Sequence, residues 1–394
     1  MSAEREPRAR RAVITGLGAV TPLGNDLATT VTALDRGRSA VEPASLLDPP
    51  GLDGTDAAAV RDFDPRPHFR DLRALKLTDR RTRFAVAAAA MALADAAVPL
   101  ESDDREAAAV LVGASGFDLE AAELARAVGA DPEARAAHDL RFFAERMLAR
   151  ASPLWPLAPL PHMLAAHVSI QLGLCGPATT LTGDWAAGSQ AVGEALRLIE
   201  TGEAEMVLAG GADSGLMPFA LAGYAQGGLF ARADDGGGFA PGEGAAFLVI
   251  EERRRAKARG ARPYGELLGY AAAAAPAPTE SGPNALDRTM RAALDEAGWS
   301  LADLEAVLPA GVASPLHKSA ERAALSRLSH QLERPFEMAP IPVVDLKPRL
   351  GHALAAAGPI DLAVVLRAPQ GGASTFLCNA FGFLGQAVSL AVER

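Results

Sequence analysis

Residues 176–202 read GPATTLTGDWAAGSQAVGEALRLIETG, and no other stretch of the chain is better suited to chemistry. A β-rich run, Thr179 to Thr182, meets a turn at Gly183-Asp184-Trp185, and a helix opens on Ala186, Ala187 and Gly188. A strand that bends sharply into a helix presents one side chain above the helix N-terminus, where partial positive charge favours a developing anion. A nucleophile for acyl transfer would stand at that bend. The residue there is Trp185, whose indole donates a hydrogen bond but cannot attack a carbonyl. Ser189, one turn into the helix, has no His nearby in sequence to activate it and reads as a packing or local capping residue. Asp184 could serve as a base, although a turn or cap role is the ordinary one for Asp beside a bend.

The elements that must hold this bend alternate between strands and helices. Arg11–Gly16 reads as a buried strand turned by Gly16-Leu17-Gly18, and Thr78–Ala97 as a helix capped by Thr78 or Asp79. Ala109–Gly113, Met206–Gly211 and Ala245–Glu252 read as further buried strands, and Met163–Leu174 as the helix leading into the bend. The basic run Arg253–Arg262 is expected to be a solvated helical face. The second half echoes the first: AVLVGAS at 109–115 returns as AVLPAGVAS at 306–314, and AAFLVIEE at 245–252 as AVSLAVER at 387–394. The bend itself has a counterpart in Leu350–Leu366, LGHALAAAGPIDLAVVL. Such internal similarity predicts an α/β protein of two related layers. Its expected parts are a charged, frayed tail at 1–10, an N-terminal half at 11–258 and a C-terminal half at 259–394. Alternating strands and helices predict mostly parallel sheets, with the two bends facing each other across a site between the halves.

Bulk properties narrow the chemistry. With 394 residues, 49% of them hydrophobic, the chain can bury a large interior. Aromatic residues make up only 5% and the net charge is −10, which argues against nucleic acid or an anionic membrane as partner. The two cysteines, Cys175 and Cys378, are too far apart for a disulfide framework or a metal pair and are expected to pack as small apolar side chains. The N-terminus has no signal-peptide core, and no apolar run reaches the roughly 20 residues needed to span a bilayer. A cytoplasmic protein without metal or cofactor is the expectation.

Several segments together resemble the β-ketoacyl synthases, condensing enzymes of the thiolase fold. They are RAVITGLGAVTPLG at 11–24, LPHMLAAHVSIQLGLCGPATT at 160–180, GFAPGEGAAFLVIEE at 238–252, DLKPRLGHALAAAG at 345–358 and NAFGFLGQAVSL at 379–390. The resemblance implies a thiolase-like fold with duplicated halves in five layers, α-β-α-β-α. Active members use a Cys at the bend and two His residues. The Cys position falls on Trp185. Aligning Ser314-Pro315-Leu316 with the family's T-P-L puts Ala310 where the first His belongs, and K-x-x-x-G-H is matched by Lys347, Gly351 and His352. Condensation needs a thiolate to carry the acyl chain and donors to stabilise the enolate, so losing two of these groups should abolish it. His352 and Lys347 then read as retained structural residues, and His317 as a surface residue.

A condensing frame without its nucleophile is similar to the chain-length factors of type II polyketide systems. That resemblance implies a heterodimer with a catalytic ketosynthase subunit, in which the inactive chain walls the end of the partner's acyl tunnel. The dimer would form along Ala178–Gly183, through Thr179, Thr180, Leu181 and Thr182. The length gate would include Phe117, Leu119, Phe142, Phe143, Met147, Met163 and Leu164, with Phe117 foremost and Asp118 a helix cap. Phe381 and Phe383 fall in the family's glycine-rich entrance loop, where Leu384 breaks the second Gly-Gly. An acyl carrier protein would act mainly through the catalytic subunit. Trp185 in place of the Gln usual in aromatic-polyketide members, and a trimmed 358–374 segment, point to a divergent branch such as polyene-forming systems. The rival expectations are a malonyl-carrier decarboxylase using His352 and a scaffold with no influence on length.

Overall fold

The structure, a computed structural model, describes residues 10–44, 55–99, 103–116, 141, 144–145, 154, 157–230, 239–275, 285–311, 315–331, 341–368 and 372–394. The first half runs β1 (Ala12–Val20), α1 (Leu27–Asp35), α2 (Arg80–Asp95), β2 (Ala109–Ala114), α3 (Met163–Leu172), β3 (Ala178–Thr182), α4 (Ala187–Thr201), β4 (Met206–Ser214), α5 (Pro218–Gln226) and β5 (Glu243–Glu252). After α6 (Arg253–Ala258), the second half runs β6 (Gly265–Ala274), α7 (Ala285–Ala297), β7 (Ala306–Leu308), α8 (Pro315–Gln331), α9 (Ala357–Arg367), β8 (Thr375–Phe381) and β9 (Gln386–Glu393).

The nine strands form a sheet in the order β3-β2-β4-β5-β1-β6-β9-β8-β7. The strand patterns of the two halves correspond. Strand β2 is parallel to β3 and β4, while β4 and β1 are antiparallel to β5. In the second half, β7 is parallel to β8 and bridges Val343 in parallel, while β8 and β6 are antiparallel to β9. The mostly parallel sheets expected from the alternation are therefore mixed. Strands buried on both faces are apolar whichever way they run, so composition carries no sign of direction.

Helices α4 and α9 pack between the two half-sheets, α2 with α3 covers the outer face of the first, and α7 with α8 covers that of the second. This is the five-layered α-β-α-β-α arrangement. Strand β5 shows how the layers divide the core. Ala246, Leu248 and Ile250 join the cluster between the half-sheets, while Ala245, Phe247 and Val249 join the outer one beneath α2.

Two local expectations need correction. Strand β1 runs straight through Gly16-Leu17-Gly18, with an irregularity between Ile14 and Gly16. A Cβ at Gly16 would stand 2.3 Å from the Ala92 carbonyl and one at Gly18 2.1 Å from that of Ala88, so these glycines admit α2 and make no turn. Cys378 is buried as expected, but Cys175 is exposed. Asp79 caps α2 by accepting from Thr82 N at 2.8 Å. Among the described residues no helix is long and apolar enough to cross a membrane.

Candidate functional site at the facing elbows

The first elbow joins β3 to α4, and its turn is tied down by Asp184. One carboxylate oxygen accepts from Trp185 N at 2.9 Å and the other from Leu384 N at 2.5 Å. Asp184 N donates to Gln386 Oε1 at 3.1 Å. The carboxylate is thus engaged by main-chain donors and fastens the elbow to the 381–386 loop. Both elbows point inward. A Cβ on Gly188 would lie 1.9 Å from the Ala355 carbonyl, and one on Gly358 2.0 Å from Ser189 Oγ. Only glycine lets the starts of α4 and α9 cross this closely.

Trp185 occupies the cleft at the bend and is 7% exposed. Its ring centre lies 5.3 Å from that of His352, 5.4 Å from Phe239, 6.1 Å from Phe383 and 6.5 Å from Tyr224. Tyr224 and Phe239 meet edge to face at 5.3 Å, as do Phe239 and His352 at 5.6 Å. These tilted and edge-on arrangements are the favourable ones for aromatic rings. The space above the start of α4 is filled with carbon.

His352 is buried, with Nδ1 accepting from Leu354 N at 3.1 Å and a further hydrogen bond to the Ala310 backbone. Burial, helped by the charge of Lys347, pushes its pKa down to about 3, so the imidazole is neutral. Ala310 is buried beside it, and its methyl can neither donate nor accept. The Ala310 N–H donates to Glu321 Oε1 at 2.8 Å, and burial raises the pKa of that carboxyl. Lys347 follows the turn into the second elbow, donating from Nζ to the Pro309 carbonyl at 2.7 Å and pairing with Asp361. Burial works most strongly against its ammonium, but the Asp361 carboxylate together with that of Asp345 outweighs it and raises the pKa of Lys347, keeping it charged. Burial likewise lifts Asp361 to about 6, against the pull of Lys347.

Two side chains beside the elbows carry a hydroxyl or a thiol, Ser189 and Cys378. Ser189 Oγ is buried against α9 without a hydrogen-bond partner among the described residues, and no imidazole is placed to activate it. Cys378 lies on β8 with its pKa pushed up to about 12 by burial, which leaves it a thiol at neutral pH. Among the described residues no group of three His, Cys, Asp or Glu is placed to hold a metal ion.

The structure brings Trp185, Ala310, Lys347 and His352 into one neighbourhood, although they are far apart in sequence. Thr179, Thr180, Leu181 and Thr182 lie on β3, the outermost strand of the first half-sheet, with Thr179 and Thr182 exposed. Leu164 is buried in the outer core and Met163 is half-buried. The proposed gate residues Phe117, Leu119, Phe142, Phe143 and Met147, and the cap Asp118, lie outside the described residues, as do residues 1–9 of the tail and the side chain of His317. Phe239, Tyr224, Glu321 and Asp361 belong to the site and went unread in the sequence. Asp361 carried a signal, since it is the lone charge in the apolar helix AGPIDLAVVL.

Comparison with known proteins gives a consistent picture. A family profile described as "Beta-ketoacyl synthase, N-terminal domain" matches residues 9–256, and one described as "Beta-ketoacyl synthase, C-terminal domain" matches 264–375. The chain is 28% identical over 369 residues to 3-oxoacyl-acyl-carrier-protein synthase 2 of Staphylococcus aureus, covering 89% of this chain and 84% of the relative. It is 31% identical over 374 residues to the actinorhodin polyketide putative beta-ketoacyl synthase 2 of Streptomyces coelicolor, covering 91% and 86%. Among solved structures it superposes on the ishigamide ketosynthase/chain length factor with a TM-score of 0.81 and 26% identity, covering 98% of this chain and 99% of that one.

Proposed function

The chain belongs to the β-ketoacyl synthase family, and from that premise we propose that it is the non-catalytic, chain-length-determining subunit of a ketosynthase/chain-length-factor heterodimer in type II polyketide synthesis. One observation carries this reading: a buried indole, packed against four other rings, stands where the family's acyl chemistry needs a thiolate. Two more support it. Ala310 offers no donor beside His352, and His352 is neutral with Nδ1 already engaged by Leu354 N. A likeness to a structure described as a ketosynthase/chain length factor points the same way.

In this reading, bond formation belongs to an intact Cys-His-His synthase paired along the free side of β3. A ladder added there would join the two sheets, and an obligate interface of this kind buries more than about 2,000 Å². The acyl carrier protein delivers to the catalytic subunit. This subunit supplies the wall that limits the chain, from the residues after β2 and around α3, with Phe117 as the principal gate.

Co-expression with an intact Cys-His-His ketosynthase tests the proposal. The expected outcome is a stable one-to-one complex in which Phe117→Ala lengthens products without stopping condensation. Incubation of the isolated chain with acyl and malonyl carrier protein should give neither a covalent acyl adduct nor carbon dioxide. An adduct would overturn the reading. Carbon dioxide release abolished by His352→Ala would favour a decarboxylase, and product length insensitive to every gate substitution would favour a scaffold.

A further inference from the structure

At the end of the sheet away from the elbows, the junction of the two halves forms a cavity of about 1170 Å³, room for a ligand of nucleotide size. Its walls come from the end of α2, the segment 259–264 that joins α6 to β6, the end of α9, and Arg394 just beyond β9. Strand β9 separates it from the first elbow. Gln386, at one end of that strand, accepts from Asp184 N, and the eight residues of the strand span roughly 25 Å before Arg394 is reached.

Four guanidiniums line this cavity, those of Arg259, Arg262, Arg367 and Arg394, against one carboxylate, that of Asp95. Two of the four are held and compensated. Arg259 donates from Nε to Glu251 Oε2 at 2.9 Å and from a terminal nitrogen to the Ala96 carbonyl at 2.8 Å. Arg367 lies 3.5 Å from Asp95 and donates to the Tyr264 hydroxyl, which itself donates to Asp95 at 3.0 Å. The other two have no carboxylate. Arg262 is exposed and makes no ion pair among the described residues. Arg394 donates from one terminal nitrogen to the Val365 carbonyl, and its Nε is buried with no partner among the described residues. Burial lowers its pKa, and no anion offsets that.

A chain of net charge −10 thus pools two uncompensated cations in one concave site. A buried donor left unmatched is costly, and the planar fork of arginine matches phosphate oxygens in pairs. We propose that this cavity binds a small molecule bearing a diphosphate, with Arg262 and Arg394 contacting its phosphates and Arg259 and Arg367 contributing fixed positive charge. A lone phosphate would engage one fork and leave the other unpaired. The cavity shares no residue with the cleft around Trp185 and His352, so it stands whether or not this subunit sets product length.

Equilibrium titration of the full chain with ADP, inorganic pyrophosphate and AMP at physiological salt tests this. ADP should bind saturably and AMP about tenfold more weakly, the loss of one charge-assisted contact. Arg262→Gln should leave the melting temperature unchanged while weakening ADP about tenfold. Arg394→Lys keeps the charge but loses the fork, and a similar weakening is expected. Lys257→Gln removes an exposed cation of α6 outside the cavity and should change nothing. ADP binding tighter than pyrophosphate identifies a nucleoside diphosphate, and equal or tighter pyrophosphate identifies the inorganic ion; either supports the proposal. No saturable binding of ADP or pyrophosphate, AMP as tight as ADP, or equal losses from Lys257→Gln and Arg262→Gln would overturn it.

Discussion

At the first elbow, where β3 bends into α4, the interior is a stack of rings around Trp185. At the second, where Lys347–Leu350 leads towards α9, it is the ion pair of Lys347 and Asp361, anchored to the Pro309 carbonyl. The two elbows belong to equivalent parts of a duplicated fold and touch each other, yet one is filled by apolar volume and the other by compensated charge. The contrast separates what the backbone requires from what the chemistry would require. Small residues at the crossing are enforced by contact distances, whereas the groups beside it can change character as long as the space is filled and each charge is paired.

This contrast can be broken by experiment. The largest effect is expected from Lys347→Met, which strands the Asp361 carboxylate and should cost about 3–5 kcal/mol at neutral pH. Asp361 already ionises near about 6 in the folded chain, above its ordinary 3.8, and losing its cation should raise it further. The folded variant then binds a proton that the unfolded chain has released. Measured against the parent chain, this part of the loss should be greatest above the raised value and should shrink as pH falls to about 6, where Asp361 is protonated in both folded forms, as denaturant titrations across that range would read. Trp185→Ala should cost about 3 kcal/mol through the cavity it leaves. That loss should be the same at pH 5 and pH 7, because His352 titrates near about 3 and stays neutral throughout. A pH-dependent Trp185→Ala, or a pH-independent Lys347→Met, would end the distinction between the elbows.

A smaller effect sharpens the account of the crossing. Gly358→Ala meets only the Ser189 hydroxyl, at 2.0 Å, and should cost about 1–2 kcal/mol, largely recovered on adding Ser189→Ala. Gly188→Ala meets the main-chain carbonyl of Ala355 at 1.9 Å, so no side-chain change should rescue it in a thermal melt. The smallest effect is expected at the mouth of the first elbow. Leu384 is 71% exposed, and Leu384→Ser should shift stability by under about 0.5 kcal/mol, since its N–H still reaches Asp184.

The elbow was legible in the sequence because its signals are local: a Gly-Asp turn, a β-rich run before it and three small residues after it. The duplication was legible for the same reason, since each half repeats its own strands in order. Strand direction was not, because β4 and β5 are equally apolar and pair antiparallel although a helix lies between them. The paired glycines of β1 read as a turn because their need for room comes from α2, which is remote in sequence. Buried charge was the hardest to foresee. Arg81, Asp213 and Glu321 look like surface residues until partners from other elements, such as Pro159 for Arg81, are brought alongside.

Strand β1 is hydrogen-bonded on both sides, to β5 along most of its length and to β6 through Ala12, Val13 and Ile14. The two halves are therefore stitched by main chain and are not merely leaned against each other. Heat should then melt them in one cooperative step, and a partner that grips one half should raise the melting temperature of both.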